Sequence, residues 1–246
     1  MSKARREDFD PRLFEGICHR GYWGEGRTEN GLLAFEEAIK NGFAFELDIH
    51  LTADKQLLVC HDSELERTTG KKGVIEDLTM EEIKSNYRLL DGEEVPSFEE
   101  VLNLNNEAVP IVVELKTYKG NYRALAKKAM EALKRIQNPK TITIISFDPR
   151  SLLFVNKKRF TRGLLIYNKR PDILSTLRFF DYLDIEDVML EMDKVVKYRQ
   201  KGCLVNTWTI ETEEQLNRAA NLADMITFQH LPLDKVREAI HGTKGS

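Results

Sequence analysis

Phe45-Glu46-Leu47-Asp48-Ile49 alternates apolar and acidic side chains, and how this stretch is read decides the fold. Residues two apart in a strand share a face, so Glu46 and Asp48 point together while Phe45, Leu47 and Ile49 point the other way. The surrounding run, 44–49, reads as a buried strand. Charged side chains rarely sit in strand cores unless they are paired or bind a metal. Two carboxylates on one buried face repel unless a cation lies between them or one holds a proton. Taken alone, the motif also fits a rim pair meeting Arg or Lys. Val112-Val113-Glu114-Leu115-Lys116 repeats the device on what should be the adjoining barrel strand, with Glu114 and Lys116 on one face. A simple Glu–Lys pair would explain it in isolation. Beside the acidic pair, Glu114 instead completes a three-carboxylate site.

Further apolar β-type runs lie at 16–19, 141–147, 163–167, 182–185, 204–208 and 225–228. Helical patterns fall at 31–40, 121–136, 149–156, 172–179, 193–200, 213–220 and 232–240. Eight strands joined by helices predict an α/β fold, a parallel sheet closed as a (β/α)8 TIM barrel, with a doubly wound open sheet as the rival. Strands five and six give the shortest signals. Residues 52–109 are too many for one βα unit. Within them, 57–60 is predicted to pair back on 44–51 as a hairpin. Thr79 and Ser97, followed three residues later by Glu82 and Glu100, are predicted helix caps. The expected organisation is one catalytic TIM-barrel domain over 1–246, with an inserted subdomain at about 52–109 after the second barrel strand. The tail, 241–246, is expected to fray.

The 246 residues suit one α/β barrel, and 41% hydrophobic side chains can fill its core. With 37 basic and 40 acidic residues the net charge is −3, so nothing draws the chain to nucleic acid. Cys18, Cys60 and Cys203 are odd in number and read as reduced core residues. The first ten residues are charged and lack a signal-peptide core, and no apolar run approaches the ~20 residues that span a bilayer. These features predict a cytoplasmic protein without a transmembrane segment.

His19-Arg20-Gly21 closes the first strand, where a barrel places its chemistry. Arginine suits phosphate because its planar fork donates two parallel hydrogen bonds. His61-Asp62 ends the hairpin strand and reaches the same rim. Two histidines ending different strands near the same carboxylates point to acid–base work. Hard oxygen ligands favour Mg2+ or Ca2+ over zinc. The constellation argues for a metal-assisted reaction on an anionic substrate, with Lys116 beside a phosphate oxygen. Glu29 is placed to orient a rim histidine or Arg20, Asn30 reads as an N-cap, and Trp208 as a pocket wall or core residue. His50, His230 and His241 take the structural default, with His50 expected on the face opposite Glu46 and Asp48. No P-loop, dinucleotide fingerprint, nucleophile elbow or zinc spacing occurs.

The run ICHRGYWGEGRTENGLLAFEEAIKNGFAFELDIHLTADKQLLVCHDSELERTTG, with VPSFEEVLNL, IVVELK, ISFDP and LVNTWTI further on, strongly resembles the glycerophosphodiester phosphodiesterase family. The likeness is dense from Ile17 to Lys116 and sparser, in register, to Trp208. It implies a (β/α)8 barrel with a small insertion after the second strand. It also implies hydrolysis of a small-molecule glycerophosphodiester to sn-glycerol 3-phosphate and an alcohol, at one divalent cation, Mg2+ or Ca2+. By this resemblance Glu46, Asp48 and Glu114 are the metal ligands, His19 and His61 the acid–base pair, and Arg20 and Lys116 the stabilisers of phosphate charge. The attacker it implies is the substrate's own adjacent hydroxyl. Two departures stand out. The family's Pro-Glu-Asn-Thr is Thr28-Glu29-Asn30-Gly31 here, and the Thr-Asp or Thr-Asn before a proline becomes the longer Thr227-Phe228-Gln229-His230-Leu231-Pro232. One rival is a lysophospholipase D, with Tyr22 and Trp23 against an acyl chain. The other is a non-catalytic phosphodiester-binding barrel, against which the retention of all seven charged positions speaks.

Overall fold

A computed structural model describes residues 3–242; of the tail expected to fray, 243–246 lie outside them. The described residues form nine strands: β1 (Ile17–Cys18), β2 (Ala44–Leu51), β3 (Leu57–Val59), β4 (Ile111–Leu115), β5 (Ile142–Ser146), β6 (Thr161–Ile166), β7 (Tyr182–Glu186), β8 (Val205–Ile210) and β9 (Met225–Phe228). Eight of them run parallel in the order β1-β9-β8-β7-β6-β5-β4-β2. The pairing of β1 with β2, Ile17 opposite Ala44, closes the circle. That closure excludes the open doubly wound sheet and leaves no barrel edge unpaired. β3 lies antiparallel on β2, with Ile49 opposite Val59, forming the hairpin expected from the sequence.

α1 (Leu32–Lys40) follows β1. Between β3 and β4 come α2 (Glu66–Thr69), α3 (Met80–Asn86) and α4 (Phe98–Asn105). The later helices are α5 (Tyr122–Ala132), α6 (Pro149–Leu152), α7 (Asp193–Gln200), α8 (Glu213–Leu222) and α9 (Leu233–Gly242). The pattern at 172–179 becomes a 3-10 helix, Pro171–Phe179. There the Ser175 and Thr176 hydroxyls bond the carbonyls three residues back, which favours the tighter winding. Thr79 and Ser97 cap α3 and α4 reciprocally with Glu82 and Glu100.

Apolar side chains gather in three places. Ile17, Val112, Ile145, Leu165 and Tyr182 fill the barrel, and Phe9, Leu13 and Phe14 close it from below. Gly163 makes this filling possible, because a Cβ there would lie 2.3 Å from the Tyr182 ring. Outside the strands, Phe35, Phe45, Leu47 and Val113 pack in the shell against the helices. Phe98, Val101 and Leu102 of α4 join that shell, so α4 packs as a barrel helix although the sequence groups it with the excursion. The third cluster, with Leu58, Leu65, Ile75, Ile83 and Val95, is a small core of its own beneath β3 and α3. It fixes the segment that brings His61 to the rim. Cys18, Cys60 and Cys203 are buried and free. Among the described residues, no helix is long and apolar enough to cross a membrane.

Candidate active site

β2 and β4 pair with Asp48 opposite Glu114 and Glu46 opposite Val112, so the inward face of two neighbouring strands carries Asp48 and Glu114 at one level and Glu46 two residues below them. All three are buried, and one carboxylate oxygen from each lies within 4.8 Å of the others. Two cations reach in from the rim. Lys116 Nζ stands 3.0 Å from Glu114 Oε1 and 3.3 Å from Asp48 Oδ1, and Arg20 Nε stands 3.5 Å from Asp48 Oδ2. Asn30 Nδ2 donates to Asp48 Oδ2 at 2.9 Å. Asn30 therefore holds a carboxylate, and Gly31, not Asn30, is the N-cap of α1. The backbone at Arg20 and Asn30 is left-handed, each with φ 58°. Arg20 N–H donates to Glu46 Oε2 at 3.1 Å, and its carbonyl accepts from Asn30 N–H, so the turn is pinned at both ends. Gly21 follows with φ +81°, where a Cβ would lie 2.8 Å from the Ala34 carbonyl carbon.

Charge is uneven across the trio. Burial raises Asp48, but Lys116 and Arg20 outweigh it and hold Asp48 below the usual carboxylate range. Burial, then Asp48 and Glu114, drives Glu46 well above that range. Glu114 is pushed up to about 7, chiefly by burial against the pull of Lys116. Glu46 Oε1 is buried with no hydrogen-bond partner, and Asp48 Oδ1, also buried, makes no hydrogen bond beyond its ion-pair contact with Lys116. Buried oxygens so short of donors, on three converging carboxylates, fit a hard divalent cation. Without one, the raised folded-state value of Glu114 makes stability greatest below about pH 4.5 and erodes it as pH climbs through about 7. In chelator, Tm should therefore fall between pH 5 and 8. Glu114→Gln should make that fall shallower by a few degrees, at about 2–4 °C per kcal/mol for a chain this size. A variant that tracks the wild-type slope would remove Glu114 from this balance.

The two histidines are oriented by different partners. His19 Nδ1 lies 2.6 Å from Gln229 Oε1, and Gln229 Nε2 donates to Glu211 Oε1 at 2.5 Å, which fixes the amide with its oxygen toward the ring. Nδ1 thus carries the proton, and Nε2 faces the trio, 4.0 Å from Glu46 Oε2. Burial, with Arg20 beside it, pushes His19 down to about 4. His61 Nδ1 donates to Asp62 Oδ1 at 2.7 Å. Burial lowers His61 as well, with Lys116 and Arg20 adding to it and Asp48 and Asp62 opposing.

Glu29 does not reach a histidine. It accepts from Arg20 at 2.9 Å and from both terminal nitrogens of Arg67 at 2.9 and 2.8 Å, and Arg67 Nε donates to Asp62. Arg20, Glu29, Arg67, Asp62 and His61 form one continuous chain that ties the barrel rim to α2. Trp208 on β8 is half-buried and meets Phe147 edge-on, with centroids 5.6 Å apart. His50 shares the inward face, contrary to expectation, because it is two residues from Asp48. It is buried between Glu76 and the His61 carbonyl, under the cleft mouth. Tyr22 donates to the Leu231 carbonyl and Trp23 packs on His230, and neither lines the cleft.

The cleft has two lobes. An outer lobe of about 680 Å3 is bordered by His61, Arg67, Lys116 and Asp148, and an inner one of about 140 Å3 by His19, His61, Glu114 and Trp208. Arg67, Gln229 and the inner-lobe residues Asp184 and Asn206 escape the sequence reading. Asp184 alone carries a signal that was there to use, being an acid inside a buried strand run, like Glu46 and Asp48.

A closed parallel barrel with a buried carboxylate trio, two cationic side chains and two imidazoles at its C-terminal rim defines an α/β-barrel protein with a charged polar centre at the mouth of the barrel. The profile of the glycerophosphoryl diester phosphodiesterase family matches residues 19–230, and the chain belongs to that family. A glycerophosphodiester phosphodiesterase of Bacillus altitudinis is 36% identical over 150 residues, 57% of this chain. The match spans 61% of that relative's length. The crystal structure of a glycerophosphodiester phosphodiesterase from Parabacteroides distasonis, 26% identical, has a TM-score of 0.79 over 93% of this chain and 97% of the other. An Oleispira antarctica phosphodiesterase, solved in complex with the product sn-glycerol-3-phosphate, shares the fold with a TM-score of 0.78 at 22% identity, over 94% of this chain and 96% of its own.

Proposed function

We propose that the protein hydrolyses small-molecule glycerophosphodiesters to sn-glycerol 3-phosphate and an alcohol, in the cytoplasm, with one divalent cation, Mg2+ or Ca2+, held by Glu46, Asp48 and Glu114. The observation that carries this reading is the buried trio, with Glu46 Oε1 lacking any donor, faced by both imidazoles and both cations. When bound, the ion supplies charge that offsets the negative charge growing on the phosphate oxygens. Arg20 and Lys116 act on the same charge. Arg20 Nε makes no hydrogen bond beyond its 3.5 Å ion-pair contact with Asp48 Oδ2, so it has a hydrogen to offer a phosphate oxygen. Glu29 keeps the guanidinium in place.

The asymmetry between the histidines supports a division of labour. His19, bonded to a neutral amide and pushed down to about 4, is neutral at physiological pH with Nε2 open, which suits a base. It takes the proton of the attacking hydroxyl as the new P–O bond forms. His61, bonded to the Asp62 carboxylate, is better able to carry charge. An anionic diester arriving between Lys116 and Arg20 cancels part of what lowers it. It gives its proton to the departing alkoxide as the P–O bond to the leaving group breaks. If the attacker is the adjacent hydroxyl, a water then opens the cyclic phosphate with the two roles exchanged.

The test is a 31P NMR assay with Mg2+, Ca2+ and Mn2+ offered separately. Glycerophosphocholine should yield glycerol 3-phosphate, at a rate well above that on lysophosphatidylcholine. A preference for the lysolipid would favour the lysophospholipase D reading, which has lost its apolar wall with Tyr22 and Trp23 outside the cleft. Binding without turnover would leave the non-catalytic barrel.

A further inference from the structure

From 119 to 159 the chain carries eleven basic side chains and only two acidic ones, Glu131 and Asp148, although its net charge is −3. Charge is therefore segregated, and part of the basic region is concave. A cavity of about 440 Å3 is lined by five cations, Lys3, Lys140, Lys157, Lys158 and Arg159, against two acids, Asp8 and Asp181. It meets the strands at their N-terminal ends. Thr161 begins β6, Lys140 stands just before β5, and Asp181 just before β7. The trio and both imidazoles occupy the other end of the barrel, so the chemistry above does not use this cavity.

Both acids are engaged elsewhere. Asp181 accepts from the Arg162 backbone N–H at 2.9 Å and from its Nε at 3.1 Å, and Asp8 accepts from the Arg5 N–H at 2.8 Å. Glu107, close to the cavity, spends its two oxygens on the Gln137 and Asn138 N–H groups at 2.9 and 2.8 Å. Among the described residues, none of the five cations forms an ion pair. Two of them are anchored on carbonyls instead. Lys3 Nζ donates to those of Leu177 and Phe180, and Arg159 Nη2 to those of Lys134 and Ile136. The turn carrying Lys157, Lys158 and Arg159 is fixed at its base. Asn156 Oδ1 accepts from the Lys158 N–H at 3.2 Å, and the Asn156 carbonyl accepts from the Arg159 and Phe160 N–H groups at 2.9 and 3.0 Å. Phe160 is buried behind them.

On an ordinary solvated face, lysines are interspersed with acids. Here like charges converge on a concave wall, where they repel one another and focus a positive field that an anion relieves. The cations come from three separate segments, the N-terminal arm, the turn before β5 and the turn before β6. A single phosphate meets only some of them, whereas linked phosphates reach across. We propose that this cavity binds a small anion of two or more linked phosphoryl groups, remote from the catalytic rim and independent of the reaction there.

The test is calorimetric titration of the Mg2+-loaded protein, in excess Mg2+, with tripolyphosphate and with orthophosphate. Wild type should bind tripolyphosphate about 10-fold more tightly, the effect of two further charges met at about 3-fold each, and added salt should weaken it. Lys140→Gln/Lys157→Gln/Lys158→Gln removes three exposed charges and should weaken tripolyphosphate binding roughly 30-fold. Lys158→Gln alone should cost about 3-fold, and it serves if the triple variant does not fold. Lys116→Gln, at the opposite end, should bind tripolyphosphate as wild type does. Equal affinity for the two anions, wild-type binding by the base variants, or lost binding in Lys116→Gln overturns the proposal. So does a wild type that ignores tripolyphosphate but sediments with phosphatidylglycerol vesicles, since the basic wall would then serve a lipid surface. None of these readouts depends on turnover, so they stand apart from any failure of the phosphodiesterase reading.

Discussion

Asp48→Asn is expected to lose divalent-cation binding and to lower kcat/KM on a glycerophosphodiester by about 10³-fold or more. Asp48 is the member of the trio that holds full charge, because Lys116 and Arg20 stabilise it against burial. It also stands between Glu46 and Glu114 electrostatically, raising both. An amide keeps the shape and removes the charge around which the site is balanced. The fold should survive. Lys116 retains Glu114 at 3.0 Å, Arg20 retains Glu29 at 2.9 Å, and the two remaining glutamates ionise more readily once Asp48 is neutral. Calorimetric titration with Mg2+ and Ca2+ alongside steady-state rates checks this. A folded Asp48→Asn protein that binds the ion as tightly as wild type would show that the trio is an internal salt-bridge network and nothing more.

The second large effect separates the histidines. His19→Ala and His61→Ala should each cost about 10²–10⁴-fold in kcat on glycerophosphocholine, the usual worth of general acid–base help. They should respond differently to the leaving group. A substrate whose leaving group departs without needing a proton, a glycerol p-nitrophenyl phosphodiester for example, should restore most of the His61→Ala rate and little of the His19→Ala rate. Recovery of His19→Ala instead would exchange the roles, and near-wild-type turnover by either variant on the ordinary substrate would remove that residue from the mechanism.

Much of this molecule is legible in its strands because buried strands carry period-two information. The acids at 46, 48 and 114 stand out for being polar on a face that should be apolar, and their convergence follows from the register that sets Asp48 opposite Glu114. The hairpin at 57–59 and the caps at Thr79 and Ser97 were equally readable, since each depends on residues close in sequence. What could not be read depends on partners far along the chain. Arg67 holds Glu29, 38 positions earlier, and Gln229 meets His19 across 210. Nothing local marks either. The 227–232 stretch, read only as a departure from the family pattern, supplies the amide that fixes the His19 tautomer. His50 was a failure of parity, not of information, since counting by two from Asp48 places it on the inward face. The short helix α6 and the 3-10 turn at 171–179 reflect proline starts and hydroxyl–carbonyl bonds that periodicity does not weigh.

The proposed reaction depends on one ion around which Glu46, Asp48 and Glu114 close. The direct measurement is the rate of glycerol 3-phosphate release by wild-type protein in excess chelator, followed by titration with Mg2+, Ca2+ or Mn2+. The expected result is a rate near background that returns with one equivalent of ion in wild type and does not return in Asp48→Asn. Full activity in chelator would contradict it.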